Sequence, residues 1–194
     1  EGIPFFATGR TPNSEIVKDI VELNSDNTIK VNEMMETSKD NIYAAGDVTG
    51  GYQLTPVARM EGMTAARNMA NYPNKISYRA IPQTLSLNTE VSFVEDEKNN
   101  CSNEDIANIG IPGIAGPGMF WDILNGKTGY TKISFDKKQN KIKKINSISP
   151  SSVSDVAYLS YLMRIDSPLD KYGDFLEIHP STDANYKIIK NMWL

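Results

Sequence analysis

The sequence is poor in two reactive residue types: it has one cysteine, Cys101, and one histidine, His179. A single cysteine excludes an intrachain disulfide and a redox-active Cys-x-x-Cys pair. Cys101 lies in a polar stretch and is predicted to have no catalytic role. No metal site is predicted.

Long apolar runs and a strong excess of one charge are also absent. Twenty basic against 24 acidic residues give a net charge of −4, which argues against nucleic acid or a polybasic membrane surface as partner. No apolar run approaches the roughly 20 residues of a membrane helix, and no charged-then-apolar leader is visible. The chain is therefore predicted to be soluble and cytoplasmic.

The pattern Gly-x-Gly-x-x-Gly does not occur after any predicted strand. A glycine-rich loop of this kind cradles the pyrophosphate of a dinucleotide, so the sequence predicts no such loop. With 194 residues, the chain is long enough to bury a sizeable core and to form one domain or two.

A short apolar run ends in a carboxylate. Residues 42–45, Ile-Tyr-Ala-Ala, have the length and composition of a buried strand, and Gly46-Asp47 marks the following turn. Open α/β sheets bind ligands beyond the carboxyl ends of their strands. Asp47 is therefore predicted to accept hydrogen bonds from a hydroxylated ligand such as a ribose or a ribitol chain.

A helix is predicted shortly after this turn. Thr55 can be the N-cap and Pro56 the first helical residue, where the missing N–H is tolerated, and strong helix formers continue to residue 70. The unpaired N–H groups and positive dipole end of such a helix suit a carbonyl or an anionic ring atom of the same ligand.

Residues 37–58 resemble the second FAD motif of the flavoprotein disulfide reductases that bind two dinucleotides. The family pattern is Thr, four residues, an apolar residue, Tyr, two apolar residues and Gly-Asp, and residues 37–47 fit every position. Residues 54–58 look most like glutathione and mercuric reductases. The resemblance implies cofactor-binding roles for five residues: Gly46, Asp47, Leu54, Thr55 and Ala58.

In this family the aspartate holds a ribitol hydroxyl of FAD, and the start of the next helix faces the pyrimidine edge of the flavin. By resemblance, the first role falls to Asp47 and the second to the backbone around Leu54, Thr55 and Ala58. Residues 7–13, Ala-Thr-Gly-Arg-Thr-Pro-Asn, resemble the stretch in which the family's chain returns from the NAD(P)H domain to the FAD domain.

A break in composition at residues 71–79 separates two predicted domains. The predicted fold class is α/β (α+β). Residues 1–75 are predicted to be the C-terminal segment of an FAD-binding domain, and residues 80–194 are predicted to be a dimerisation domain with an antiparallel sheet flanked by helices. Besides the helix at 55–70, the patterns predict a helix at 14–23, strands at 28–31 and 84–94, a helix at 102–109, irregular backbone at 110–118, a hairpin of 130–135 with 141–148, and a helix at 151–165.

The order of elements after residue 80 resembles the interface domain of the same family. A His-Pro pair near the C-terminus, at residues 179–180, resembles that family's His-Pro-Thr motif. There the histidine acts as general acid/base to the redox thiols of the partner subunit, a role that falls by resemblance to His179. An imidazole titrates near neutral pH and suits this proton transfer. The family's orienting carboxylate stands five residues further on, where this chain has Ala184, so Asp183 is the candidate one residue early.

The resemblance implies a homodimer with FAD as cofactor, NAD(P)H as co-substrate bound by a domain absent here, and a disulfide or dithiol substrate, with dihydrolipoamide foremost. The chain is then expected to be the C-terminal part of a longer enzyme and inactive alone. Two alternatives stay open: a non-catalytic dimerisation fragment, and another two-dinucleotide flavoprotein such as an NADH oxidase or a ferredoxin or mercuric reductase relative.

Overall fold

A computed structural model describes residues 2–98, 101–112, 129–174, 176 and 189. The chain forms two compact units, Glu1–Ser77 and Tyr78–Leu194. The division falls inside the composition break at 71–79, while the roles assigned to the two units stay predictions. Within the described ranges, no helix combines the length and the apolar character that crossing a membrane requires.

The first unit is built around one long helix, α1, which spans Thr55–Met69 and confirms the prediction for this segment. Val57 and Ala65 turn its apolar side inward and are 2% and 5% exposed. After the helix, Asn71 takes a φ of 61°, in the left-handed region that asparagine tolerates better than most residues. The helix therefore ends where the composition changes.

The predicted helix at 14–23 is wrong. Only a 3₁₀ turn forms there, at Glu15–Val17. An amphipathic helix owes most of its stability to the burial of its apolar face, and Ile16 and Ile20 are 86% and 53% exposed. Val21 is buried at 6% exposure, but the two isoleucines stay exposed, so the apolar face is covered only in part and its pattern alone does not produce a helix.

The predicted strands at 28–31 and 42–45 are also wrong as extended strands. Each makes a single antiparallel bridge: Leu23 with Ile29, and Glu36 with Tyr43. A β-ladder needs an aligned neighbour along its length, and among the described residues each segment pairs at one position only.

The second unit contains a five-stranded antiparallel sheet in the order β1-β2-β5-β4-β3. Its strands are β1 Gln83–Leu85, β2 Val91–Glu95, β3 Ile106–Pro112, β4 Tyr130–Asp136 and β5 Lys141–Ile148. The predicted hairpin corresponds to β4 and β5 and is confirmed. The single strand predicted at 84–94 is instead a hairpin of β1 and β2.

Strand β3 corrects two predictions. The helix expected at 102–109 is only a 3₁₀ turn at Asn103–Asp105, and the backbone at 110–112, expected to be irregular, lies in the strand. Edge strands accept glycine and proline, since one side of their backbone is unpaired, and β3 is an edge strand. Any β-carbon at position 110 would overlap the Tyr130 side chain. Residues 113–118 lie outside the described ranges.

A second helix, α2, spans Ser152–Arg164 and packs against β2 and β5, which confirms the helix predicted at 151–165. Its buried face, with Val156, Leu159 and Met163 at 1–3% exposure, meets sheet residues that include Ile133 and Ile145, both 0% exposed. The antiparallel sheet with a helix on it confirms the predicted fold class.

Candidate functional site

A tight turn presents Asp47 to solvent. Gly46 has a φ of 87°, a backbone conformation that glycine adopts without strain, and a 3₁₀ turn follows at Asp47–Thr49. The Thr49 hydroxyl donates to the Gly46 carbonyl at 2.9 Å and closes the turn. Asp47 is exposed, and among the described residues no group hydrogen-bonds its carboxylate. It is thus available to accept hydrogen bonds from a ligand.

The start of α1 lies beside this turn. A β-carbon built on Gly46 would lie 3.6 Å from the β-carbon of Ala58, so the first turn of α1 packs directly on the glycine. The N-cap is Leu54, in an extended conformation, and Thr55 is already helical, which corrects the prediction that Thr55 caps the helix. Since the leucine side chain has no acceptor, the N-cap residue does not cap the first N–H groups of α1.

A concave cavity of about 290 Å³ joins Asp47 to the segment before residue 14. Its lining residues are Arg10, Thr11, Pro12, Asn13, Asp47, Val48 and Gln53. The cavity brings Arg10 and Asp47 to one surface although they are 37 positions apart in sequence. It also contains three potential hydrogen-bonding side chains in Thr11, Asn13 and Gln53.

Sequence reasoning did not assign a site role to Arg10 or Gln53. The signal available for Arg10 was residues 7–13, which resemble a family segment but suggested only a domain transition. Gln53 precedes the helix without a distinctive pattern. Of the predicted residues, the structure brings Gly46, Asp47 and Ala58 together, and Asp47 lines the cavity.

Tyr43 lies in the same motif and is half-buried. Its hydroxyl donates to Glu36 Oε1 at 3.4 Å. Partial burial and the nearby negative charge of Glu36 raise the pKa of Tyr43, so the phenol stays neutral over the working pH range. This contact links the motif to Glu36, which also forms an antiparallel bridge with Tyr43.

The predicted catalytic pair, His179 and Asp183, lies outside the described residues. Their roles stay predictions. Cys101 is a free, half-buried thiol. Among the described residues, no group of three or more histidine, cysteine or acidic side chains is arranged to hold a metal ion.

Comparison with known proteins finds a matching family model and several similar proteins. Residues 3–62 match the family model described as pyridine nucleotide-disulphide oxidoreductase. An uncharacterized protein of Methanocaldococcus jannaschii is 32% identical over 157 residues, which are 77% of this chain and 36% of that protein. The dihydrolipoyl dehydrogenase of Bacillus subtilis is 29% identical over 182 residues, 89% of this chain and 37% of that enzyme.

Solved structures show the same fold. The Cu(II) complex of the HOCl-induced flavoprotein disulfide reductase RclA from Escherichia coli superimposes with a TM-score of 0.80 at 21% identity, covering 94% of this chain and 43% of that protein. The chain therefore spans 36%, 37% and 43% of the length of these three proteins.

Proposed function

Because this chain belongs to the pyridine nucleotide-disulphide oxidoreductase family, we propose that it supplies part of the FAD site of a flavoprotein disulfide oxidoreductase. Such an enzyme passes electrons between NAD(P)H and a disulfide or dithiol substrate. The chain spans 36–37% of the two relatives named above. The proposed activity thus belongs to a longer polypeptide that also carries the dinucleotide loops and a redox cysteine pair.

One observation carries the proposal: Asp47 is exposed, no described residue hydrogen-bonds its carboxylate, and it lines a cavity together with Arg10. The carboxylate can accept a ribitol hydroxyl, and the guanidinium can pair with an anionic part of the cofactor. Drug-sized ligands fill pockets of about 300–1,000 Å³, so a cavity of about 290 Å³ suits part of a dinucleotide. This agrees with a chain that contributes one side of the site.

The start of α1 completes this side of the proposed site. Its first N–H groups donate no hydrogen bond to the side chain of the N-cap residue Leu54, and they carry the positive end of the helix dipole. Ala58, packed on Gly46, places the first turn next to Asp47. The bound FAD would supply the two-electron acceptor, while these residues bind and orient it.

Removal of the Asp47 carboxylate tests the proposal in the intact polypeptide. Asp47→Ala is expected to weaken FAD binding about tenfold to a hundredfold, because a hydrogen bond to a charged group contributes roughly 1.5–3 kcal/mol. Asp40→Ala, an exposed carboxylate in the same unit, is the matched control and should bind FAD normally. Equal FAD dissociation constants for the two variants in a fluorescence titration would refute the assignment of Asp47.

We further infer that the second unit forms a homodimer through α2. Positions 153, 157, 161 and 165 follow a helical spacing of four, which places them on one stripe. Val153, Tyr161 and Ile165 on this stripe are 41%, 59% and 54% exposed, and Ala157 is exposed as well. An exposed apolar stripe favours burial against another surface, and the two-fold symmetry of family homodimers makes a second copy the partner.

A charge in the centre of the stripe tests the dimer. Tyr161→Glu should shift the protein from dimer to monomer at micromolar concentration in light scattering, because an obligate interface does not tolerate an unpaired buried charge. Lys138→Glu, in the exposed turn between β4 and β5, changes charge on another surface and should leave the dimer intact. A dimer with Tyr161→Glu would rule out this stripe as the interface.

The substrate and the acid/base pair complete the proposal. His179 is proposed to move the proton of a thiol, with Asp183 as its orienting carboxylate and a lipoyl-type dithiol as substrate. The support is the His-Pro sequence near the C-terminus and the name of the Bacillus subtilis relative, dihydrolipoyl dehydrogenase.

A further inference from the structure

We propose that Glu61 is a positioning residue, which holds the Gly46 turn in the shape that presents Asp47 to the cofactor. This inference rests on the proposed FAD site. Glu61 lies on α1 and is only 2% exposed. A buried carboxylate is costly unless hydrogen bonds compensate the loss of water, so its presence calls for a specific partner.

The partner is the backbone of the turn itself. Glu61 Oε2 accepts a hydrogen bond from the Gly46 N–H at 2.6 Å and lies 3.3 Å from the Thr49 hydroxyl. A short N–H to carboxylate bond is charge-assisted and stronger than a bond between neutral groups. One side chain of α1 thereby contacts both ends of the turn that contains Asp47.

The contact matters because the turn has a pivot. Gly46 has no β-carbon and can rotate over a wider range than any other residue. A rotation at Gly46 would move Asp47, its immediate neighbour, away from the cavity rim. The Glu61 bond and the packing of Ala58 on Gly46 restrict this rotation, and both act from the same face of α1, since they are three residues apart.

Glu61 thus couples two halves of the proposed site. The first turn of α1 would face the flavin, and Asp47 would hold the ribitol chain. The hydrogen bond between Glu61 and Gly46 links sites 15 residues apart in sequence and sets the position of one relative to the other. The length of the acceptor side chain sets the position of the turn, and the negative charge adds only to the strength of the bond.

Two conservative variants of Glu61 in the intact polypeptide separate the effect of side-chain length from the effect of side-chain charge. Glu61→Gln retains an acceptor at the same distance and should bind FAD within about threefold of the wild type. Glu61→Asp retains the charge but is shorter by one carbon–carbon bond of about 1.5 Å. It should lose the Gly46 bond and weaken FAD binding about tenfold. Glu22→Asp, an exposed carboxylate paired with Lys30, is the control.

Hydrogen exchange of a peptide covering residues 42–54, measured without FAD, reports the turn directly. Faster exchange in Glu61→Asp, with near-normal exchange in Glu61→Gln, is expected. The reverse order of the two variants in affinity, or FAD binding by Glu61→Asp equal to the wild type, would overturn the positioning role. A more than tenfold loss with Glu61→Gln would do so too, even if Glu61→Asp does not fold.

The Asp47→Ala variant distinguishes a failure of the proposed Glu61 role from a failure of the proposed FAD site. If Asp47→Ala weakens FAD binding and Glu61→Asp does not, the FAD site stands and the role of Glu61 is wrong. If Asp47→Ala binds FAD normally, the proposed site itself fails, whatever Glu61 does to the exchange of the turn.

Discussion

The side chain of Asn68 pairs with both backbone groups of Asn74. Asn68 Oδ1 accepts the Asn74 N–H at 2.8 Å, and Asn68 Nδ2 donates to the Asn74 carbonyl at 2.8 Å. Nδ2 is also within reach of the carbonyls of Met34 and Thr64, at 2.9 and 3.0 Å. Its two hydrogens serve three acceptors. Asn68 therefore ties the last turn of α1 to the chain that follows it.

Loss of this amide should destabilise the first unit. Asn68 is 7% exposed, and each buried group left without a partner costs about 1–3 kcal/mol. Asn68→Ala is expected to lower the free energy of unfolding by about 2–3 kcal/mol, measured by urea unfolding followed by circular dichroism. Met69→Ala, on the exposed side of the same helix, should change it by less than about 0.5 kcal/mol. Equal effects would contradict the role of Asn68.

A buried hydroxyl pair should show coupling in a double-mutant cycle. Thr131 and Ser147 face each other across β4 and β5 with their hydroxyl oxygens 2.8 Å apart, and each residue is 2% exposed. Thr131→Val leaves the Ser147 hydroxyl without this partner, and Ser147→Ala does the converse. The double variant should be more stable than the sum of the single effects predicts, by about 0.5–1.5 kcal/mol. Additive unfolding free energies would show that the pair contributes nothing.

Two isoleucines of strand β5 should respond differently to truncation. Ile145 is 0% exposed in the core of the second unit, and Ile148 is 44% exposed. Ile145→Ala is expected to cost about 2–5 kcal/mol, since it removes buried methyl groups and leaves a cavity. Ile148→Ala should cost less than about 1 kcal/mol in the monomer. The two losses of stability are measured from the denaturant midpoints of the variants, provided that their unfolding transitions have the same slope.

The stability of the second unit should depend on acid pH through Asp166. Its carboxylate accepts hydrogen bonds from Lys141 at 2.8 Å and from Arg79 at 2.5 Å. The bond from Lys141, followed by that from Arg79, lowers the pKa of Asp166 below its usual range. A carboxyl group whose pKa is lower in the folded state stabilises the fold at pH values above its unfolded-state pKa of about 3.9. This contribution is lost as the pH falls through the folded-state pKa.

The free energy of unfolding of Asp166→Asn should therefore fall less steeply than that of the wild type below about pH 4. Asp166 is 47% exposed in its side chain, so solvent and salt screen the pair and the effect is small. The difference between wild type and variant should shrink further at high salt. Melting temperatures between pH 6 and 2.5 at two ionic strengths measure it, and parallel profiles would contradict the prediction.

His179→Gln should separate proton transfer from flavin chemistry in the intact enzyme. Removal of a positioned acid/base group lowers turnover by about two to four orders of magnitude, so dithiol turnover should fall by that factor while NAD(P)H still reduces the flavin. Asp183→Asn should shift the acidic limb of the pH profile, because a nearby carboxylate raises the pKa of an imidazole. Near-normal dithiol turnover with His179→Gln would assign the enzyme to the wider flavoprotein class.

Local signals were enough for several elements. The proline at position 56 and the helix formers after it predicted α1, alternation around a polar turn predicted the pairing of β4 with β5, and a continuous apolar pattern predicted α2. Each signal lies within one element or one hairpin. The family was likewise readable from residues 37–47, because the motif is contiguous in sequence.

Long-range packing decided the rest. Residues 14–23 have a helical pattern, but the described residues cover only part of its apolar face, and β3 is a strand because β4 lies beside it. The amino-acid sequence alone determined the turn at Gly46 and the carboxylate after it. Only the tertiary structure brought Arg10 and Glu61 to that turn, because a buried hydrogen bond or a shared cavity depends on distances between segments, which no local pattern specifies.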